Sequence, residues 1–129
     1  MKLSALIPEL KLSSCLNDKE VSSIHIDSRD VKEGGIFFAL KGRNFDGNDY
    51  INEALEKGAC LVVTDTGKYN NSEKIIYLKN LRENLSDIAS RFYENPSANL
   101  KTICVTGTNG KTTAVETFAM LGNLLGEKS

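Results

Sequence analysis

Two spacings of apolar residues take turns along this chain. Short runs rich in β-branched and aromatic residues at 22–27, 36–40, 60–64 and 74–78 predict strands, because they are bounded by polar or glycine positions. Between them the period changes. Residues 48–57 predict a helix closed by Gly58, since glycine accepts the left-handed conformation that ends a helix. Leu81, Leu85, Ile88, Ala89 and Phe92 trace one apolar face of a helix that runs out before Pro96. Residues 3–10 predict a short amphipathic helix, and residues 66–72 a polar loop.

This alternation implies an α/β fold. The segment Glu94-Asn95-Pro96-Ser97-Ala98-Asn99 reads as a linker, because turn-forming residues cluster there between two periodic regions. The expected organisation is a small α/β domain at residues 1–98 and the start of a second domain at residues 99–129. In the second, residues 102–106 predict a strand, and Val115, Phe118, Ala119 and Leu125 predict a helix over residues 113–125. A βαβ unit takes roughly thirty residues or more, so there is room for one strand and one helix. A lone strand carries unpaired edges, and such a helix exposes its apolar face. Residues 99–129 are therefore expected to be the least ordered part when the chain is studied alone.

The junction of that strand and helix carries chemistry. Gly107-Thr108-Asn109-Gly110-Lys111-Thr112-Thr113 combines two glycines, a lysine and two hydroxyls. The glycines let successive N–H groups turn toward one anion, and the following helix adds the positive end of its dipole. Lys111 supplies a mobile charge for outer phosphates, and Thr112 a ligand for Mg²⁺. The full phosphate-loop pattern has a glycine where this chain has Val105, so the loop is a shortened form. The competing reading is a glycine-rich turn before an ordinary helix.

Composition narrows the partners. Hydrophobic residues at 40% and charged residues at 26% describe a globular protein, while a net charge of −1 without basic blocks gives no footprint for nucleic acid or anionic membrane. No apolar run approaches the ~20 residues of a membrane span. Leu12-Ser13-Ser14-Cys15 looks superficially like a lipoprotein cleavage site, but Pro8, Glu9 and Lys11 interrupt the apolar stretch a secretory signal needs. Cys15, Cys60 and Cys104 lack metal-binding spacing. Cys60 and Cys104 lie in apolar runs as small buried hydrophobes would, which suits the cytoplasm. His25, the sole histidine, alternates with Ile24 and Ile26 and reads as a residue on the polar face of a strand.

The first domain has a polar cluster of its own. Asp27-Ser28-Arg29 ends a predicted strand, Gly35-Ile36-Phe37-Phe38-Ala39 and Lys41-Gly42 follow, and Asp46-Gly47 precedes a helix. Loops at strand ends hold polar ligands well, although Asp-Ser and Asp-Gly also favour plain turns. Together with Tyr50-Ile51, Ala54, Gly58-Ala59 and the loop at residues 106–113, these motifs resemble the Mur ligase family, ATP-dependent enzymes of peptidoglycan precursor synthesis in the bacterial cytoplasm. The resemblance covers nearly the whole chain. Arg91-Phe92-Tyr93-Glu94-Asn95-Pro96-Ser97 is similar to the domain junction of the member that adds the third amino acid, and Thr108 also favours that member over the fourth ligase.

The resemblance implies a uridine-nucleotide domain followed by the first strand, phosphate loop and helix of a central ATPase domain. It implies ATP and Mg²⁺ as cofactors, and UDP-N-acetylmuramoyl-L-alanyl-D-glutamate as substrate. ATP converts the glutamate side-chain carboxylate to an acyl phosphate, and the amine of meso-diaminopimelate or L-lysine displaces phosphate. Catalysis of this kind is mostly positioning and charge neutralisation. The resemblance assigns Gly107, Thr108, Asn109, Gly110, Lys111, Thr112 and Thr113 to ATP, with Lys111 catalytic and Thr112 on the metal. It assigns Ile26, Ser28, Arg43, Asn44 and Phe45 to the uridine substrate. A monomer without nucleic-acid or membrane partners is expected, and these 129 residues by themselves are expected not to ligate, because the family's remaining groups lie beyond Ser129. The alternatives are a non-catalytic UDP-sugar-binding fragment or remnant, and the fourth ligase of the pathway.

Overall fold

The computed structural model describes residues 1–10, 14–69 and 72–127, which form two compact units, Met1–Pro96 and Ser97–Ser129. In the first unit, α1 (Leu3–Leu6) and α2 (Ser14–Asn17) precede β1 (Ile24–His25), β2 (Ile36–Ala39), α3 (Ile51–Glu56), β3 (Leu61–Thr64), β4 (Ile75–Tyr77) and α4 (Leu81–Phe92). The four strands make one parallel sheet in the order β1-β2-β3-β4. Ile24 pairs with Ile36, Ile36 with Leu61, and Val62 with Ile75.

The central strands explain the continuous apolar runs. Every residue of β2 and β3 is buried, because helices cover both faces of the sheet. Alternation still decides the face. Ile36, Phe38, Leu61 and Val63 pack with Leu3, Leu6, Ile7, Leu81 and Ile88 on one side, while Phe37, Ala39 and Val62 pack with Val31, Ile51 and Ala54 on the other. The fold is thus α/β, as the alternating pattern predicts, and each predicted strand of the first unit forms. The outer strands are shorter than predicted: β1 holds two residues where six were expected.

Helix ends follow local chemistry. α1 stops at Leu6 rather than residue 10, because Pro8 disfavours helical geometry at Ile7, whose φ and ψ are −130° and 73°. The helix expected over residues 48–57 is split, with a 3₁₀ turn at Gly47–Tyr50 leading into α3. Gly58 then closes it at φ +94°. α4 keeps the predicted face, with Leu81 and Ile88 buried and Leu85 and Phe92 packed against the same core. After α4 the chain turns through Glu94 and Asn95, both at positive φ.

A 3₁₀ turn at Pro96–Asn99 and a stretch without regular structure lead to α5 (Lys111–Leu124) in the second unit. The strand expected at residues 102–106 does not form. A strand needs a neighbour for its backbone groups, and among the described residues none pairs with it. Val115, Phe118, Leu121 and Leu125 are exposed. Of the cysteines, Cys60 is buried as expected but Cys104 is exposed, since the missing strand leaves it no core to enter. The Cys15 side chain lies outside the described residues. His25 stands half-buried on β1, where its Nε2 meets Ser23 Oγ at 2.8 Å.

Candidate functional site

All four strands run the same way, so their C-terminal ends lie along one edge of the sheet, where the loops of α/β proteins gather ligands. An open cleft of about 670 Å³ lies where the chain leaves β1 and β2. Its apolar lining comes from Ile26, Phe37, Leu40, Phe45 and Tyr50, and its polar lining from Asp27, Ser28, Arg29 and Glu53. Apolar walls with a few fixed polar groups suit a ring system carrying hydroxyls or amides.

The loop after β1 is a self-stabilised turn. Asp27 precedes a 3₁₀ turn at Ser28–Asp30, and its Oδ1 accepts the Arg29 backbone N–H at 2.9 Å. The Arg29 guanidinium also grips the carboxylate, donating from Nε to Oδ1 at 2.9 Å and from Nη2 to Oδ2 at 2.6 Å. This side-chain grip, then the backbone N–H, holds the Asp27 carboxyl down at about 2. The pairing raises Arg29 further above its usual range. From α3's C-terminal end, Lys57 Nζ donates to the Ser28 carbonyl at 3.1 Å, the Arg29 carbonyl at 3.3 Å and Glu53 Oε1 at 2.9 Å. Lys57 thereby keeps Glu53 ionised, with its carboxyl below the usual range.

The opposite lip is a small hairpin. Lys41 and Asp46 form an antiparallel bridge, Gly42 N–H donates to the Phe45 carbonyl at 2.8 Å, and Gly47 N–H returns to the Leu40 carbonyl at 2.9 Å. Gly42 and Gly47 are required here: a Cβ would stand 2.8 Å from the Phe45 oxygen or 2.7 Å from the Leu40 oxygen. Asp46 accepts both the Asn48 backbone N–H and its side-chain amide, which lowers its carboxyl.

Of the residues assigned to the uridine substrate, Ile26, Ser28 and Phe45 line the cleft. Phe45 is 74% exposed and Ile26 67%, whereas Ser28 is buried. Arg43 and Asn44 occupy the exposed hairpin tip and are not among the lining residues. Tyr50, Glu53 and Lys57 were missed. Glu53 and Lys57 stand four residues apart with no local motif to mark them, and only the fold brings them to the residue 28–29 turn.

The loop assigned to ATP lies in the second unit. Gly107 and Gly110 hold φ values of +152° and +76°, and Gly110 caps α5. The first helical bond runs from Ala114 N–H to the Gly110 carbonyl at 3.0 Å, so the N–H groups of Lys111, Thr112 and Thr113 find no acceptor within the helix. They offer an anion site, and the exposed hydroxyls of Thr112 and Thr113 stand at the same end. Lys111 Nζ folds back to the Gly107 carbonyl at 2.5 Å and the Thr108 carbonyl at 3.4 Å.

Comparison with known proteins agrees with these motifs. The profile described as "Mur ligase family, catalytic domain" matches residues 20–93, which include the cleft. The UDP-N-acetylmuramoyl-L-alanyl-D-glutamate–2,6-diaminopimelate ligase of Haemophilus influenzae (strain 86-028NP) is 41% identical over 99% of this chain, which covers 27% of that protein. The ligase of the same name from Rickettsia rickettsii is 43% identical over 92% of this chain and 24% of its own length. Among solved structures, a ligase of that name aligns over 97% of the chain and 26% of its own, with TM-score 0.74 and 23% identity, a likeness of fold. The MurF ligase from Thermotoga maritima in complex with ADP aligns over 78% of this chain and 23% of its own, with TM-score 0.59 and 33% identity. The chain thus spans about a quarter of the relatives it matches. With the cleft motifs and the profile falling on the same residues, the chain belongs to the Mur ligase family.

Proposed function

We propose that residues 1–98 bind the uridine nucleotide of UDP-N-acetylmuramoyl-L-alanyl-D-glutamate, and that residues 99–129 open the ATP-binding domain of the ligase that adds 2,6-diaminopimelate to it. The observation that carries this is the cleft. Ile26, Ser28 and Phe45 meet there across two loops, in a chain 41–43% identical to ligases bearing that substrate's name. Apolar walls accept the flat face of a base, and the Ser28 region with ionised Glu53 offers partners for its amide or the ribose hydroxyls. Arg29 and Lys57 are held by Asp27, Glu53 and backbone carbonyls, so the sugar-phosphate tail is directed toward the hairpin tip, where Arg43 and Asn44 stand.

The residue 107–113 loop fits a nucleotide triphosphate. Free N–H groups at the start of α5 and the Lys111 ammonium would face the outer phosphates, once Lys111 leaves the Gly107 and Thr108 carbonyls. Thr112 would give Mg²⁺ a hydroxyl oxygen. ATP supplies the phosphoryl group that activates a carboxylate, and Lys111 contributes charge neutralisation. Among the described residues no group of three or more His, Cys, Asp or Glu side chains that could hold a metal ion occurs. Ligation belongs to the whole protein, and these residues alone are expected to bind without turnover. We also place the protein in the cytoplasm as a monomer, and no described helix is long and apolar enough to cross a membrane.

Calorimetry with UDP-N-acetylmuramoyl-dipeptide tests the reading: saturable binding to the wild type, markedly weaker in Phe45→Ala, is expected. No heat at millimolar ligand would sink it. A second reading, the fourth ligase, draws on the likeness to the UDP-N-acetylmuramoylalanyl-D-glutamyl-2,6-diaminopimelate–D-alanyl-D-alanyl ligase from Acinetobacter baumannii, 27% identical over 85% of this chain with TM-score 0.63. It predicts tighter binding of the tripeptide than of the dipeptide precursor.

A further inference from the structure

We propose that Asp65 and Arg82, which lie outside the cleft, are positioning residues that clamp the residue 41–46 hairpin and so hold Phe45 over the uridine site; the inference rests on the uridine reading of the cleft. Asp65 follows β3 and Arg82 lies in the first turn of α4, so neither is near the hairpin in sequence. In space both seize its base. Asp65 Oδ2 accepts the Lys41 backbone N–H at 3.0 Å, and Arg82 Nη2 donates to the Lys41 carbonyl at 2.6 Å. The two polar groups of one peptide-bearing residue are thus held from two different elements.

The second strand of the hairpin is tied to the same carboxylate. Asp65 Oδ1 accepts the Asn48 side-chain amide at 3.0 Å, and that amide also donates to Asp46 Oδ1 at 2.7 Å. The Asn48 side-chain Oδ1 in turn accepts from the hydroxyl of fully buried Thr64. β3 therefore reaches both arms of the hairpin through Asp65, and the buried Asn48 leaves the joint little freedom. The hairpin needs such an anchor. It has one bridge and a short tip, and an isolated two-stranded hairpin is marginal in water. The Phe45 ring, 74% exposed, has little packing of its own to set its place.

The energetic role is preorganisation. A lip that adopts the binding geometry a tenth of the time raises the apparent Kd about tenfold without touching the ligand. Loss of either clamp is expected to free the hairpin while leaving the sheet, whose apolar core is elsewhere, intact.

The test uses the 129-residue chain with Asp65→Ala, Asp65→Asn, Arg82→Ala and Arg82→Lys variants. Amide hydrogen exchange at residues 41–46, together with tryptic cleavage after Arg43, reads the hairpin, and calorimetry with UDP reads the site. Both alanine variants should show faster exchange and cleavage there, an unchanged thermal midpoint and a Kd for UDP raised about tenfold. Arg82→Lys, which keeps a donor, should recover part of the affinity, and Asp65→Asn, which keeps an acceptor, should do the same. In the Phe45→Ala background the Asp65→Ala change should have little further effect on Kd, because the clamp acts through Phe45. Unchanged exchange at residues 41–46 overturns the clamp, as does a wild-type Kd in both alanine variants. If the wild type itself fails to bind UDP, the uridine reading falls, and hairpin exchange alone decides the clamp. Should Asp65→Ala unfold the chain, Asp65→Asn and the Arg82 pair carry the comparison.

Discussion

Asp27 closes its turn with one carboxylate shared among three donors of Arg29, two from the guanidinium and one from the backbone. Its folded value of about 2 lies below the ordinary 3.8, so the turn's support is fully present above about pH 4 and is lost as pH falls through 2. Titration followed by the Arg29 amide resonance should show this loss, and Asp27→Asn should abolish the titration at that amide. An Arg29 amide that stays fixed through pH 2 in the wild type would contradict the assignment. Lys111 presents a second case at this scale. Hydrogen bonds to charged groups contribute roughly 1.5–3 kcal/mol each, so Lys111→Ala is expected to weaken ATP binding about tenfold or more. Fluorescent-nucleotide displacement measures this, and equal affinity would remove Lys111 from the site.

At the scale of elements, burial on both faces makes β2 and β3 the stiffest part of the first unit. Phe38 is almost fully buried between β2 and the α1–α4 layer, and Phe38→Ala should destabilise that unit by roughly 3–5 kcal/mol in urea unfolding. Gly58 tests the turn between α3 and β3. It combines φ +94° with a close approach to Glu33, whose Cα would stand 3.2 Å from an added Cβ. Gly58→Ala should therefore destabilise by more than about 1 kcal/mol, while the same change at Gly67, with open space around it and no positive φ, should be near neutral.

For the molecule as a whole, the two units differ in what holds them. The first has a sheet with a core on each face. The second has, among the described residues, a helix whose large apolar residues stay exposed, one ion pair between Lys101 and Glu127, and no strand. Local opening follows the density of buried contacts, so amides of β2 and β3 should exchange through global unfolding and those of α5 far faster. Equal protection in both units would contradict this.

Much of this was written locally. Apolar runs specified β2 and β3, helical spacing specified α4, and the glycines at residues 107–113 specified a turn before α5. Each depends on neighbours a few residues away, which is why the pattern suffices. The strand expected at residues 102–106 failed, and Cys104 with it, because a strand exists only through a partner that local pattern does not supply. The cleft is likewise a tertiary product. Parallel register brings the ends of β1 and β2 together, setting Ser28 and Phe45 on opposite lips, and it carries Lys57 and Asp65 to backbone groups 28 and 24 residues away. Local pattern marked most of the elements and the motifs they carry; tertiary pairing decided which strands form and which of those residues meet, because hydrogen-bond register between strands, rather than sequence spacing, sets distance across the fold.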